Sequence, residues 1–563
     1  MGAKIGTLTG YDRSRMAVAS AVVVLAIAAV LLPDVLAQPD PLASQLLMQQ
    51  DIWLAPLFVA FCFLQFGPAE SSPAKVVANE TRVVVLCLVA LLLVCWAGHY
   101  LAFANYEISR DEQLVAFDAE IFRRGALVWP IAPDWQHLAN ALNRKFMLPI
   151  GAAEAWVSGY LPVNAALHAL VGSIVDDDLT APILVAAGGF FLWRITGRVW
   201  PDSRTARLAT LAFYLGSSQI VITGMTKFAM SGHLAFNLAW LWLFLRDTPR
   251  SHAAAMAVGF LSTGLHQPLF HPLFVLPFLA LLMSQRRWRL LAVYSGAYAA
   301  ISLFWLAWPL WIATFGTGPL VPIKTTEIGF VDRLLAVLKA PDLQSLWLMS
   351  ANLLRFVTWQ HPLLVPMALF GTVAAWRAEP LARALAVGFI LPIVVMWILL
   401  PWQGGGWGYR YVHPVMGNAV LLGGYGVDML QRRVGAALER PLVWTSAAAI
   451  FLLVPLHGLL VNRLAAPRAA KERIYAALDR DLLISDERVS DDFIHNRPDL
   501  SNRPIRLLAP AIKPEQVAAL CAGRSMTFLD PAPPVPPSER QQALKAAAIA
   551  AGCDARQMHE PST

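Results

Sequence analysis

Asp111 and Glu112 stand side by side in "NYEISRDEQLVAFDAEIFRRG" (Asn105 to Gly125), directly after Val83 to Phe103, an apolar run long enough to cross a bilayer. Ionisable groups at a membrane edge are costly unless they are paired or put to use. A carboxylate within hydrogen-bond reach of a hydroxyl can take its proton as a general base. Acids in a first helical turn also suit the helix dipole, a purely structural reason for the same pair. The stretch is amphipathic: Asp111, Leu114, Asp118 and Phe122 recur at helical spacing, which predicts a helix lying along the membrane surface. Further along stand Arg144, Lys145, Tyr160, Lys227, His233, His266, His271, Arg410, Tyr411 and His413. His266 and His271 are five apart, poor helical spacing for a shared metal, so zinc is not expected.

The elements that must position these groups are membrane helices. Hydrophobic residues make up 57% of the 563 and charged residues only 14%, outside the range of soluble domains. Apolar runs of roughly 15 to 24 residues, closed by Arg or Pro, read as an all-α polytopic membrane protein. No alternating ten-residue strand pattern appears, which argues against a β-barrel. The net charge of +7 lies mostly in short loops between apolar runs, where membrane orientation explains it, so no nucleic-acid partner is expected.

Lys and Arg favour the inner side of short loops. Five loops, Arg194 to Arg207, Arg246 to Arg250, Ser284 to Arg289, Trp376 to Arg383 and Gln431 to Arg440, are therefore assigned inside. The segments between them, with only Lys227 and Arg410, fall outside. The first apolar run, from Met16, is read as an uncleaved helix although "VLA" at Val35 to Ala37 resembles a cleavage site. Trp156 to Val175 is read as re-entrant or interfacial, because a full span there would turn every later basic loop outward. The count is about thirteen spans, with the first outer-loop helix beside them. "LWLMSANLLRFV" within the outer piece Thr314 to Gln360 reads as an amphipathic helix on the membrane.

After Val461 the composition turns charged and Pro-rich. "PIRLLAPAIKPEQVAALCAGRSMTFLD" reads as strand, helix, strand, the helix starting near Pro514 and ending near Gly523, so the tail is a small α/β domain. Cys62, Cys87 and Cys95 lie in apolar spans as packing residues. Cys521 and Cys553 can form a disulfide if their compartment is oxidising, but spacing alone does not decide it. The chain divides into 1–81 at the amino terminus, 82–461 with its first outer loop 104–159, and the outer tail 462–563.

The helix, the outer-loop Asp-Glu and the amphipathic stretch ending in Gly125 resemble the first outer loop of the GT-C glycosyltransferases, especially family 39 protein O-mannosyltransferases and aminoarabinose lipid A transferases. "WVSGYLPVNAALHALVG" is similar to a later family segment at Tyr160 and Pro162, though Asn164 replaces the expected Gly region. "LWRITGRVWPDSRTARLATLAFYL", "TKFAMSGHLAFNLAWLWLFLR" and "GWGYRYVHPVMGNAVLLGGYG" resemble further family segments, the last at Gly408, Arg410, Tyr411 and Pro414. The likeness covers roughly Arg82 to Leu460.

It implies an enzyme that moves a hexose or pentose from a polyprenyl-phosphate carrier to an acceptor glycan, lipid or protein. The setting it implies is a bacterial inner membrane, with the site and tail on the periplasmic side. Asp111, with Glu112 beside it, matches the family's first-loop acid and would be the base. The phosphate leaving group needs positive charge, which Arg410 can supply bidentately, with Tyr411, Arg144, Lys145, Lys227, His233, His266 and Tyr160 as further substrate-binding candidates. A divalent cation on Asp111, Glu112 and the carrier phosphate suits oxygen ligands, but no spacing is diagnostic of one. The alternative is a transporter or flippase, which would place charges near the midplane and show internal repeats; neither is evident.

Overall fold

The computed structural model describes residues 10–36, 39–63, 80–148, 150–151, 154–315, 338 and 340–561. Ala37 of the cleavage-like motif and most of the stretch following Thr314 lie outside these. The chain forms two compact units. The first comprises Met1–Gly98, Asp178–Trp305 and Leu334–Leu460; the second comprises His99–Asp177 and Val461–Thr563, with a stretch that begins at Leu306.

The first unit is a helical membrane bundle. Among the described residues of the whole chain, six helices are long and apolar enough to cross a membrane, including Gly10–Val35, Glu80–Leu101, Trp288–Ala313 and Pro380–Leu399. Phe270–Ser284 and Leu364–Ala375 are shorter apolar helices. With no hydrophobic drive between helices in lipid, close backbone approach has to hold them together. Leu364–Ala375 and Met416–Val434 show how: a Cβ added at Gly371 would lie 2.2 Å from the Leu422 carbonyl oxygen, and one at Gly426 2.2 Å from that of Met367. Any side chain at either position forces the helices apart.

Leu343–Thr358, expected on the membrane surface, is instead largely buried and packs on Gly10–Val35, with Trp347 donating to the Ala29 carbonyl at 3.1 Å. Its Arg355 Nε meets Asp51 Oδ2 at 2.8 Å, and Trp359 Nε1 donates to Asp51 Oδ1 at 2.9 Å. This pair is fully buried, with side chains 5% and 1% exposed.

The second unit joins the first loop to the tail in one hydrophobic core. The tail carries a parallel four-stranded sheet in the order β4-β3-β5-β6, where β3 is Leu482–Ser485, β4 Ile505–Leu508, β5 Met526–Asp530 and β6 Ala555–His559. The strand, helix, strand reading is present as β4, a turn of 3-10 helix at Pro514–Gln516 leading into Val517–Leu520, and β5. Cys521 and Cys553 are bonded.

The loop folds as the helix Arg110–Arg123, a two-residue antiparallel ribbon of β1 (Trp129–Pro130) with β2 (Ala155–Trp156), and the helix Val163–Gly172. Ten helical residues rise only about 15 Å, half the hydrocarbon thickness, so Val163–Gly172 is not a span.

The amphipathic face of Arg110–Arg123 does not rest on the membrane. Phe117 and Ile121 are buried with Trp135 and Trp156 against Leu482, Leu507 and Phe528 of the tail, each large side chain contributing roughly 1.5–3 kcal/mol. Polar contacts follow the same seam: Trp156 Nε1 donates to Pro498 at 3.0 Å, Gln113 Nε2 to the Asp492 carbonyl at 2.8 Å, and Asn143 Nδ2 to the Ile494 carbonyl at 2.9 Å.

Candidate active site

In the second unit the site is built on the helix Arg110–Arg123. Ser109 caps it, its hydroxyl accepting the Glu112 amide at 3.4 Å and donating to Glu112 Oε2 at 3.2 Å. Glu112 is thereby turned back to the cap and buried, 2% exposed. One residue earlier, about 100° around the helix, Asp111 stays part-exposed, and the Tyr160 hydroxyl donates to its Oδ1.

Seven residues on, and so on the same face, Asp118 is buried at 3% exposure. It accepts the Ser158 amide at 3.0 Å and the Ser158 hydroxyl. The segment Ser158 to Tyr160 thus runs along the acidic face and fixes both carboxylates. Phe146 packs on Tyr160 with ring centroids 6.2 Å apart, and Lys145 reaches Asp491 at 2.9 Å. Arg144 Nη2 lies 3.5 Å from the Leu148 carbonyl.

Burial pushes the Asp118 carboxyl up from 3.8 to about 7, against the opposing pull of the Ser158 hydrogen bonds and the Arg110 charge. The folded chain therefore holds a proton that the unfolded chain has released. Native protein binds more protons across the window from about pH 4 to 7, so stability falls as pH rises through it and levels off above. Asp118→Asn, which cannot ionise, should flatten that part of the curve; thermal unfolding across pH 4–8 that keeps its slope in the variant would contradict the assignment.

In the first unit Arg410, Tyr411, His233 and His266 line one cavity, with Phe228 and Phe270. The run "QGGGWGYR" shapes it. Gln403 accepts the Arg410 amide at 2.9 Å and donates to the Gly408 carbonyl at 3.2 Å, while Arg410 Nη1 donates to the Gly405 carbonyl at 2.6 Å. Gly408 has φ +64°, and a Cβ there would lie 2.3 Å from Gln219 Oε1, so only glycine fits. The Arg410 guanidinium stacks over Phe228 at 5.4 Å and Tyr411 at 5.5 Å.

His233 and His413 are buried, 2% and 0% exposed, and neither ring nitrogen of either has a hydrogen-bond partner among the described residues. Orphaned buried donors of this kind are rare and point to a ligand or a rearrangement. His271 differs, bonding Asn237 and Tyr298 at 2.7 Å each, a packed structural histidine. Lys227 is buried and ion-paired to Asp178 at 3.0 Å.

The sequence-derived candidates therefore fall in two groups, Asp111, Glu112, Tyr160, Arg144 and Lys145 in one unit and Arg410, Tyr411, His233, His266 and Lys227 in the other. Ser158 was missed, and with it the state of Asp118. The heptad spacing of Asp111 and Asp118 was the available signal, but a helix-facing serine 40 residues away has none.

No family model and no curated protein sequence matches the chain. Among solved structures, ArnT from Cupriavidus metallidurans bound to undecaprenyl phosphate superposes with a TM-score of 0.51 at 14% identity, covering 84% of this chain and 88% of that one. The apo state of the same protein gives 0.48 at 13% identity over 74% and 85%. The chain has the polytopic fold of that ArnT, the architecture expected from the resemblance to GT-C membrane glycosyltransferases.

Proposed function

We propose that the protein is an integral membrane glycosyltransferase that moves a sugar from a polyprenyl-phosphate carrier to an acceptor hydroxyl at the outer face of the membrane. The observation that carries this reading is Asp111, a part-exposed carboxylate on a capped, buried helix, held by the Tyr160 hydroxyl. The fold shared with an ArnT bound to undecaprenyl phosphate supports the carrier class.

Asp111 takes the acceptor proton as the new bond to the sugar forms, and Tyr160 orients the carboxylate that receives it. Glu112, engaged with the cap, supports the helix end and the orientation of its neighbour. The sugar leaves a phosphate anion, which needs positive charge beside it, the role for which Arg410 of the first unit is the sequence-derived candidate. The Arg410 cavity holds only about 30 Å³, too little for a sugar phosphate, so donor binding there requires the cavity to widen.

The test is release of polyprenyl phosphate by purified protein supplied with polyprenyl-phosphate hexoses and pentoses plus candidate acceptors. Release with none of these carriers would overturn the reading and leave transport or a non-catalytic role. Within it, Arg410→Ala should raise KM for the donor roughly 10- to 100-fold, the range for a lost charge-assisted hydrogen bond. Arg410→Lys should recover only part, because a lysine keeps the charge without the fork. An unchanged donor KM in Arg410→Ala would remove Arg410 from the phosphate site.

A further inference from the structure

Four helix ends of the first unit meet around a second cavity, of about 630 Å³, lined by Glu80, Arg194, Arg198, Arg207, Trp242 and Arg246 among others. Arg246 closes the helix Met230–Arg246, about 20 Å along the axis from His233. The cavity thus lies at the opposite end of the bundle from the Arg410 site, at loops that the basic-residue pattern places inside.

Orientation in the membrane and the dipoles of helix C-termini account for arginines here one by one. They do not account for the arrangement. Glu80 pairs with Arg204 at 2.8 Å and Arg207 at 2.5 Å, which uses up the carboxylate of the cavity. Arg194, Arg198 and Arg246 have no carboxylate partner among the described residues. Trp242 holds two of them, with the Arg246 guanidinium 5.0 Å and that of Arg194 6.0 Å from its ring. Stacking of this kind fixes the guanidinium planes and leaves their N–H edges for an anion.

The side chains next to the cavity decide which anion. Val83, Val85 and Leu86, one turn from Glu80, and Phe190, one turn from Arg194, are all 41–59% exposed, as lipid-facing residues are. A phosphate in the cavity can therefore carry acyl chains that run down this apolar face. We propose that the cavity binds the phosphate of an anionic phospholipid headgroup, a site separate from the sugar-transfer chemistry and independent of that reading.

The test follows thermal unfolding of the purified full chain titrated with short-chain phosphatidylglycerol, short-chain phosphatidylcholine or glycerol phosphate. Phosphatidylglycerol alone should raise Tm, and Arg194→Gln/Arg198→Gln/Arg246→Gln should weaken its apparent affinity at least tenfold. Equal protection of the triple variant overturns the proposal. So does equal protection by phosphatidylcholine, which marks bulk lipid, or by glycerol phosphate at the same concentration, which marks a soluble anion. If the triple variant does not fold, Arg246→Gln alone is compared with wild type for phosphatidylglycerol retained in native mass spectrometry, and equal retention overturns the site.

Discussion

Asp111→Asn should lower polyprenyl phosphate release by a hundredfold or more with Tm unchanged, the loss expected when a general base is removed from a folded site. The substitution keeps size and an acceptor for the Tyr160 hydroxyl while removing the proton-accepting capacity, so the helix and its cap have no reason to move. A smaller loss is expected for Tyr160→Phe, which leaves the base but frees its rotamer. Glu112→Ala should act first on stability, by about 1 kcal/mol, because the side chain that accepts the Ser109 hydroxyl at the helix cap is lost. Equal release from Asp111→Asn and wild type would move the base to another carboxylate; loss of Tm alongside activity would make Asp111 structural.

The largest effect on stability is expected at the buried pair. Asp51→Ala leaves the Arg355 guanidinium buried without its counter-charge and Trp359 without its acceptor, which should destabilise the bundle by about 3–5 kcal/mol. The double variant Asp51→Ala/Arg355→Met removes both charges, and its loss should be well below the sum of the two single losses. Thermal unfolding in one detergent compares all four proteins. Additive losses would show that the two side chains do not act as a pair.

The loop helix was legible because its signals are local: amphipathic spacing, acids in the first turn, Gly125 after the last. Two of the four strands of the tail sheet, β4 and β5, were legible for the same reason. What amphipathicity does not state is the partner of an apolar face: the helix reads as lying on the membrane, whereas its Phe117 and Ile121 pack on the tail. Leu343–Thr358 was misassigned in the same way. Asp51 and Arg355 lie 304 positions apart, a separation at which pattern reading has no grip. The Cys521 and Cys553 pairing depended on geometry that spacing cannot supply. At the site, residue types pointed to Asp111 and Arg410, whereas the histidines divided into one packed and two orphaned only when their neighbours could be counted.

The core shared by loop and tail also sets an order of events during synthesis. Some 360 residues separate Ile121 from Leu482, so at 5–20 residues per second the loop helix waits roughly 20 to 70 seconds before the strands that cover it emerge. Phe117 and Ile121 stay bare throughout that interval, and the helix that carries Asp111 settles only when β3 to β5 arrive. A ribosome that stops before the tail leaves the apolar face of that helix uncovered, although Ser158 and Tyr160, which hold the carboxylates, are already made.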